Sequence, residues 1–240
     1  MVIRTRVKQA VVGVSVLLIA CCMESKNKVH VVFIDYTQSA SVFKHGNPAR
    51  LSSLLQELAE TMEPDDVLEV YPIHAYTESA TPVLRLKGPP LIGDLRDRQR
   101  RVEWKGRAVA EAIDKIWKMG FRKHRTGSTN IYPVARKISA LMKPGNEVRA
   151  YLICDMIQDY DGEDFNEVFR GRAGNDPTAL ARMKVTKSGF MDILTDVEVH
   201  VMIPGSPHGN QIYDKIRAPV NEFWKSFFTR CGASVVIGNL

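Results

Sequence analysis

One stretch constrains this chain more than any other: an apolar, β-branched run that stops on an acid and continues in alternating hydroxyls. It reads Val31-Val32-Phe33-Ile34-Asp35-Tyr36-Thr37-Gln38-Ser39-Ala40-Ser41. A short apolar run bounded by polar residues is how a strand buried on both faces of a parallel sheet appears in sequence. Such a strand delivers the residues after it to the carboxyl edge of the sheet, where ligands gather in open α/β folds. Residues two apart in extended chain share a side, so Asp35, Thr37 and Ser39 can point the same way. One carboxylate and two hydroxyls make half of a hard-oxygen shell, which suits Mg²⁺ or Mn²⁺ rather than a soft metal. The blander reading is a turn in which the acid and the hydroxyls bond the local backbone.

The rest of the chain alternates in the same style. A strand is expected over Val29 to Ile34. A helix follows from Asn47-Pro48, with Leu51, Leu54, Leu55, Leu58 and Met62 at helical spacing. Pro64-Asp65-Asp66 ends it, and Val67 to Ile73 reads as a second strand. Pro82 to Lys87 is a candidate edge strand, since nearby prolines suit an edge better than a centre. A charged helix is expected from about Asp94 to Met119, with Val102, Val109, Ile113 and Ile116 facing inward. The loop Arg125-Thr126-Gly127-Ser128-Thr129-Asn130-Ile131 opens a helix carrying Val134, Ile138 and Leu141, which stops at Lys143-Pro144-Gly145. Val148 to Cys154 is a third core strand, again closing on an acid, Asp155. Met156 to Ser188 is polar with weak helical pattern. Val197 to Ile203 is a strand, Gly209 to Arg230 a helix with Ile212, Ile216, Phe223 and Phe227 on one side, and Ser234 to Ile237 a last strand.

Strands alternating with helices predict an α/β fold with a mainly parallel sheet covered on both faces. Asp35 and Asp155 both fall at carboxyl ends of strands, and the Thr129 loop can reach them. Singly, Thr129 would pass for a helix N-cap. Together, two acids crowded at one sheet edge call for a counter-ion, because like charges at close range raise a pKa or repel.

The N-terminus reads as an address. Arg4, Arg6 and Lys8 precede an apolar run from Ala10 to Ala20, too short to span a bilayer comfortably, followed by Cys21 and Cys22. Leu18-Ile19-Ala20-Cys21 resembles the bacterial lipobox, which implies lipidation at Cys21 and export. Cys22 in the next position implies sorting to the outer membrane. The alternative is a plain signal peptide or an uncleaved anchor. The expected division is a signal over 1–20, a tether over 21–28 and one domain over 29–240. Cys154 and Cys231 are expected as buried free thiols.

Composition excludes several functions. The formal charge is +6, but Arg4, Arg6 and Lys8 supply half of it, so no nucleic-acid partner is implied. The basic run Arg96, Arg98, Arg100, Arg101, Lys105 and Arg107 is interleaved with Asp94, Asp97 and Glu103 and has no aromatic stacking platform. It reads as a solvated helix face. The six histidines lack metal-pair spacing, and neither a Gly-x-Ser-x-Gly elbow nor a phosphate loop occurs. Asp159-Tyr160-Asp161-Gly162-Glu163-Asp164 lacks the spacing of a calcium loop and reads as an acidic turn.

By order of elements and three short motifs, the chain from Val29 to Ile237 resembles a von Willebrand factor type A domain with its metal-ion-dependent adhesion site. That family's Asp-x-Ser-x-Ser is matched by Asp35, Thr37 and Ser39, its loop threonine by Thr129, and its strand-closing aspartate by Asp155. Three departures stand: Thr37 replaces a serine, Met156 follows Asp155 where the family often has glycine, and Thr126 competes with Thr129. The resemblance implies a three-layer α/β/α fold with a six-stranded sheet and one antiparallel edge strand. It implies Mg²⁺ (or Mn²⁺) held by Asp35, Thr37, Ser39, Thr129 and Asp155, and a partner protein whose carboxylate completes the shell. The expected function is thus a non-enzymatic, lipid-tethered adhesion or assembly module. The rivals are an aspartate-nucleophile phosphohydrolase, whose second acid Thr37 cannot replace, and a scaffold that has kept the fold without the metal.

Overall fold

The computed structural model describes residues 26–35, 48–88, 103–104, 106–107, 110–111, 114, 128–170, 176–203 and 211–239. The expected signal, Cys21, Thr37, Ser39, Thr126, most of the helix expected over 94–119 and the side chain of Ile212 lie outside these residues.

The chain runs β1 (Asn27–Asp35), α1 (Pro48–Thr61), β2 (Val67–Ile73), a 3₁₀ turn (Thr77–Ser79) and β3 (Leu84–Lys87). It continues with α2 (Pro133–Leu141), β4 (Asn146–Ile153), the hairpin strands β5 (Asp159–Tyr160) and β6 (Glu163–Asp164), α3 (Phe165–Arg170) and α4 (Pro177–Ser188). β7 (Glu198–Ile203), α5 (Gln211–Arg230) and β8 (Ser234–Asn239) complete it. Six strands form one sheet in the order β3-β2-β1-β4-β7-β8. All neighbours are parallel except β2 and β3, so β3 is the antiparallel edge strand. This is the expected mainly parallel sheet between two helical layers.

The two faces of the sheet are filled differently. On one, Val31 and Phe33 of β1, Ala150 and Leu152 of β4 and Val199 and Val201 of β7 meet α2, α4 and α5. α5 supplies Val220, Phe223, Trp224, Phe227 and Phe228, all essentially buried, each worth about 2–3 kcal/mol of burial. On the other, Val32 and Ile34 of β1, Leu68 and Val70 of β2 and Ile153 of β4 meet Leu51, Leu55, Leu58 and Met62 of α1. The alternation along β1 accounts for both layers, since successive side chains point to opposite faces.

The polar stretch over 156–188 holds more structure than expected. Asp161 and Gly162 both adopt positive φ (57° and 76°), which makes the Asp159–Asp164 segment a tight hairpin with Asp161-Gly162 as its turn. α4 begins at Asp176, whose side chain accepts from the Thr178 N–H at 2.8 Å, and ends at Gly189 in the left-handed conformation (φ 68°). Its apolar stripe is too narrow to register as periodicity, because only Ala181 and Val185 are fully covered. Residues 103, 104, 106, 107, 110, 111 and 114 are helical and, where described, exposed, with Arg107 3.8 Å from Glu103 one turn away. Cys154 and Cys231 are free and buried.

Candidate metal centre at the carboxyl edge

The strand order reverses between β1 and β4, since β2 lies on one side of β1 and β7 on the far side of β4. A crevice opens at such a switch point, beyond the carboxyl ends of the two strands. β1 ends there on Asp35, which is fully buried and in register with Ile73 of β2. Ile34 pairs with Ile153 of β4, so Cys154 and Asp155 leave β4 alongside Asp35.

The electrostatics report that proximity. Burial raises the Asp155 pKa most and the Asp35 charge adds to it, carrying it to about 8, while the Ile157 N–H donating to Oδ1 at 3.0 Å acts in the opposite direction. Asp155 keeps part of its surface accessible, yet protein surrounds it closely enough for burial to dominate. The Cys154 thiol is also pushed up, by burial first and then by both aspartates.

Beyond Asp155 the chain reverses on Met156, which is fully buried and has φ +63°. This is the left-handed region that glycine favours, so the methionine departs from the family pattern in residue type while adopting a glycine-like backbone. A non-glycine residue there costs on the order of 1 kcal/mol. Two contacts hold it: the Trp224 indole N–H donates to the Met156 carbonyl at 2.7 Å, and Cys154 Sγ lies 2.9 Å from Met156 Sδ.

Thr129 is 2% exposed and sits on the loop before α2. It is not the helix cap, because the N-cap of α2 is Tyr132, which makes no side-chain capping bond. Thr129 is instead tied to the chain following Asp155. Its N–H donates to the Asp159 carbonyl at 2.9 Å, and the Asp159 N–H donates back at 3.0 Å. Gln158, 1% exposed, reinforces this: Oε1 accepts from the Ile131 N–H at 2.8 Å and Nε2 donates to Asn130 Oδ1 at 3.3 Å.

The structure therefore sets Asp35 beside Asp155 at the switch point and laces the Thr129 loop to the Asp155 loop, with Thr37 and Ser39 outside the described residues. Among the described residues, no three His, Cys, Asp or Glu side chains gather as a metal cluster. The donors that the described residues offer are two neighbouring carboxylates, with Thr129 on the loop laced to the chain after Asp155. That set fits a hard divalent cation, which lets both acids ionise where their mutual repulsion otherwise keeps a proton. Gln158 and Trp224, which shape the site, were not read from the sequence. A glutamine between apolar Ile157 and charged Asp159 was the only available hint for the first.

Comparisons with known proteins are distant. No family model matches the chain, and no curated protein matches it. Among solved structures it is similar to proximal thread matrix protein 1 from the mussel byssus, at 12% identity and a TM-score of 0.39, over 87% of this chain and 49% of that one. It is also similar to a von Willebrand factor type A protein from Catenulispora acidiphila, at 17% identity and a TM-score of 0.42, over 90% of this chain and 39% of that one. The chain spans half or less of the length of either structure. Likenesses this distant decide neither family nor function.

Proposed function

We propose that the chain is a protein-binding module of the von Willebrand factor type A kind, in which Asp35, Thr37, Ser39, Thr129 and Asp155 hold Mg²⁺ or Mn²⁺. The observation that carries this reading is the pair of neighbouring aspartates, buried Asp35 and partly accessible Asp155, at the topological switch point. A bound divalent cation would supply an open coordination position that an acidic group of a partner protein completes. The chain's own part is to fix the donors in advance. β1 and β4 set the two acids side by side, Met156 turns the loop away, and the Gln158 and Asp159 bonds anchor the Thr129 loop. On this reading the module binds rather than turns over a substrate, because Thr37 stands where a phosphohydrolase would need its second acid. The lipobox-like sequence supports export and tethering through Cys21, which loss of lipid labelling in Cys21→Ser would check.

A metal-free scaffold is the second reading, favoured by the closeness of the two acids: burial first and the Asp35 charge second raise the Asp155 pKa, so the pair can share a proton in place of a cation. Titration calorimetry with Mg²⁺ and Mn²⁺ separates the two. A metal site gives heat, and a stabilisation of about 2.7 kcal/mol at a hundredfold excess over Kd, both absent in Asp35→Ala. No heat and no shift in the melting temperature favours the scaffold. Recovery of a membrane partner by the wild type, lost with chelator and with Asp35→Ala, tests the partner claim.

A further inference from the structure

The two outer strands of the sheet are built differently. β3 is four residues long, follows closely on Pro82 and carries Arg85 and Lys87, with the Arg85 side chain 64% exposed. Brevity, cations and a nearby proline all keep an edge strand from accepting another strand. β8 has none of these protections. Its six residues include no charge and no proline, and among the described residues it pairs along one side only, with β7. Val235 and Ile237 pack onto the aromatic core and hold the strand from below, while Val236 on the opposite face is 48% exposed. Gly238 lies in open space.

We propose that β8 pairs with β8 of a second copy of this chain, antiparallel about a two-fold axis at Val236, joining the two sheets into one. The argument for a second copy is the strand's self-complementarity. With the axis there, Val236 faces its twin, Val235 faces Ile237 of the other copy, and Ser234 faces Gly238. Opposed residues share a face, so the core-facing pair stays on the helix-covered side and the two exposed valines meet on the other. Small Ser234 and Gly238 meet without crowding, and no like charges oppose each other across the axis. The contact is isologous and closed, which stops growth at two. One strand pair buries less than a standard interface, so the dimer is weak and concentration-dependent. The inference does not depend on the metal reading.

The test uses the full chain in mild detergent. Directly opposed Cβ atoms in an antiparallel pair lie about 4.5–5.5 Å apart, so Val236→Cys gives a reducible cross-linked dimer on mild oxidation. Met183→Cys, at a similarly exposed position on α4 (53%), controls for chance encounters and gives far less. By sedimentation equilibrium, Val236→Lys sets two ammonium groups face to face and weakens self-association about tenfold, while Val236→Thr preserves it. The proposal is overturned if the wild type stays monomeric at every concentration. Equal cross-linking from positions 183 and 236, or undiminished association of Val236→Lys, overturns it as well.

Discussion

The two faces of the sheet do different work. The α5 face is aromatic: Phe223, Trp224, Phe227 and Phe228 interlock with Phe165, with ring centroids from 4.9 to 5.8 Å apart for Phe165–Phe223, Phe165–Trp224 and Trp224–Phe228. The same layer reaches the candidate metal centre, because the Trp224 indole holds the Met156 carbonyl just after Asp155. The α1 face is mostly aliphatic, with Tyr151 among its members, and it carries His30, 3% exposed with both ring nitrogens buried and without a hydrogen bond. One face couples packing to the site; the other leaves a polar ring stranded beside the Tyr151–His200 stack.

That contrast can be broken in steps. The largest effect is expected from Phe223→Ala, which empties the middle of the aromatic layer and costs about 3–5 kcal/mol in denaturant unfolding. Leu55→Ala on the α1 side costs about 2–5 kcal/mol, toward the low end if α1 relaxes into the gap. Trp224→Phe keeps most of the volume but orphans a buried carbonyl, costing about 1–3 kcal/mol. On the proposed metal reading, Mg²⁺ affinity in titration calorimetry falls as well, since the loop after Asp155 loses its anchor. Undiminished affinity in a folded Trp224→Phe protein would show that the aromatic layer does not support the site.

The smallest effect belongs to His30. Burial lowers its pKa, Lys28 and Arg149 act the same way, and Asp66 and Glu147 oppose them. A depressed folded pKa means that stability from the neutral ring is complete above about pH 6.5 and is lost as pH falls through the lower folded value. His30→Leu should flatten that acid loss and raise stability at neutral pH by about 1 kcal/mol, because it removes unsatisfied nitrogens at similar volume. Parallel stability–pH curves for the two proteins between pH 5 and 7 would dismiss the buried ring as their cause.

Where local pattern and burial agree, the sequence reads well. β2 matches its expected span, Val67 to Ile73, residue for residue, since an apolar run between Pro64-Asp65-Asp66 and a polar turn has few other fates. α1, α2, β7 and β8 come out within a few residues for the same reason. α4 escaped because only Ala181 and Val185 meet the core fully, although Asp176, Pro177 and Gly189 punctuate it at both ends. Met156 looked like a departure in loop shape, and only its backbone, fixed by Trp224 from 68 residues away, shows the left-handed turn.

The sequence by itself determined the two-sided burial of β1 and the acids at the ends of β1 and β4, because strand periodicity and an abrupt polar stop are local properties. The tertiary structure decided that β4 lies next to β1, that burial and then the Asp35 charge raise the Asp155 pKa, and that Gln158 and Trp224 hold the surrounding loops. Those facts depend on which strands become neighbours and which distant donors meet a carbonyl, and hydrogen bonds across such separations leave no periodic trace along the chain.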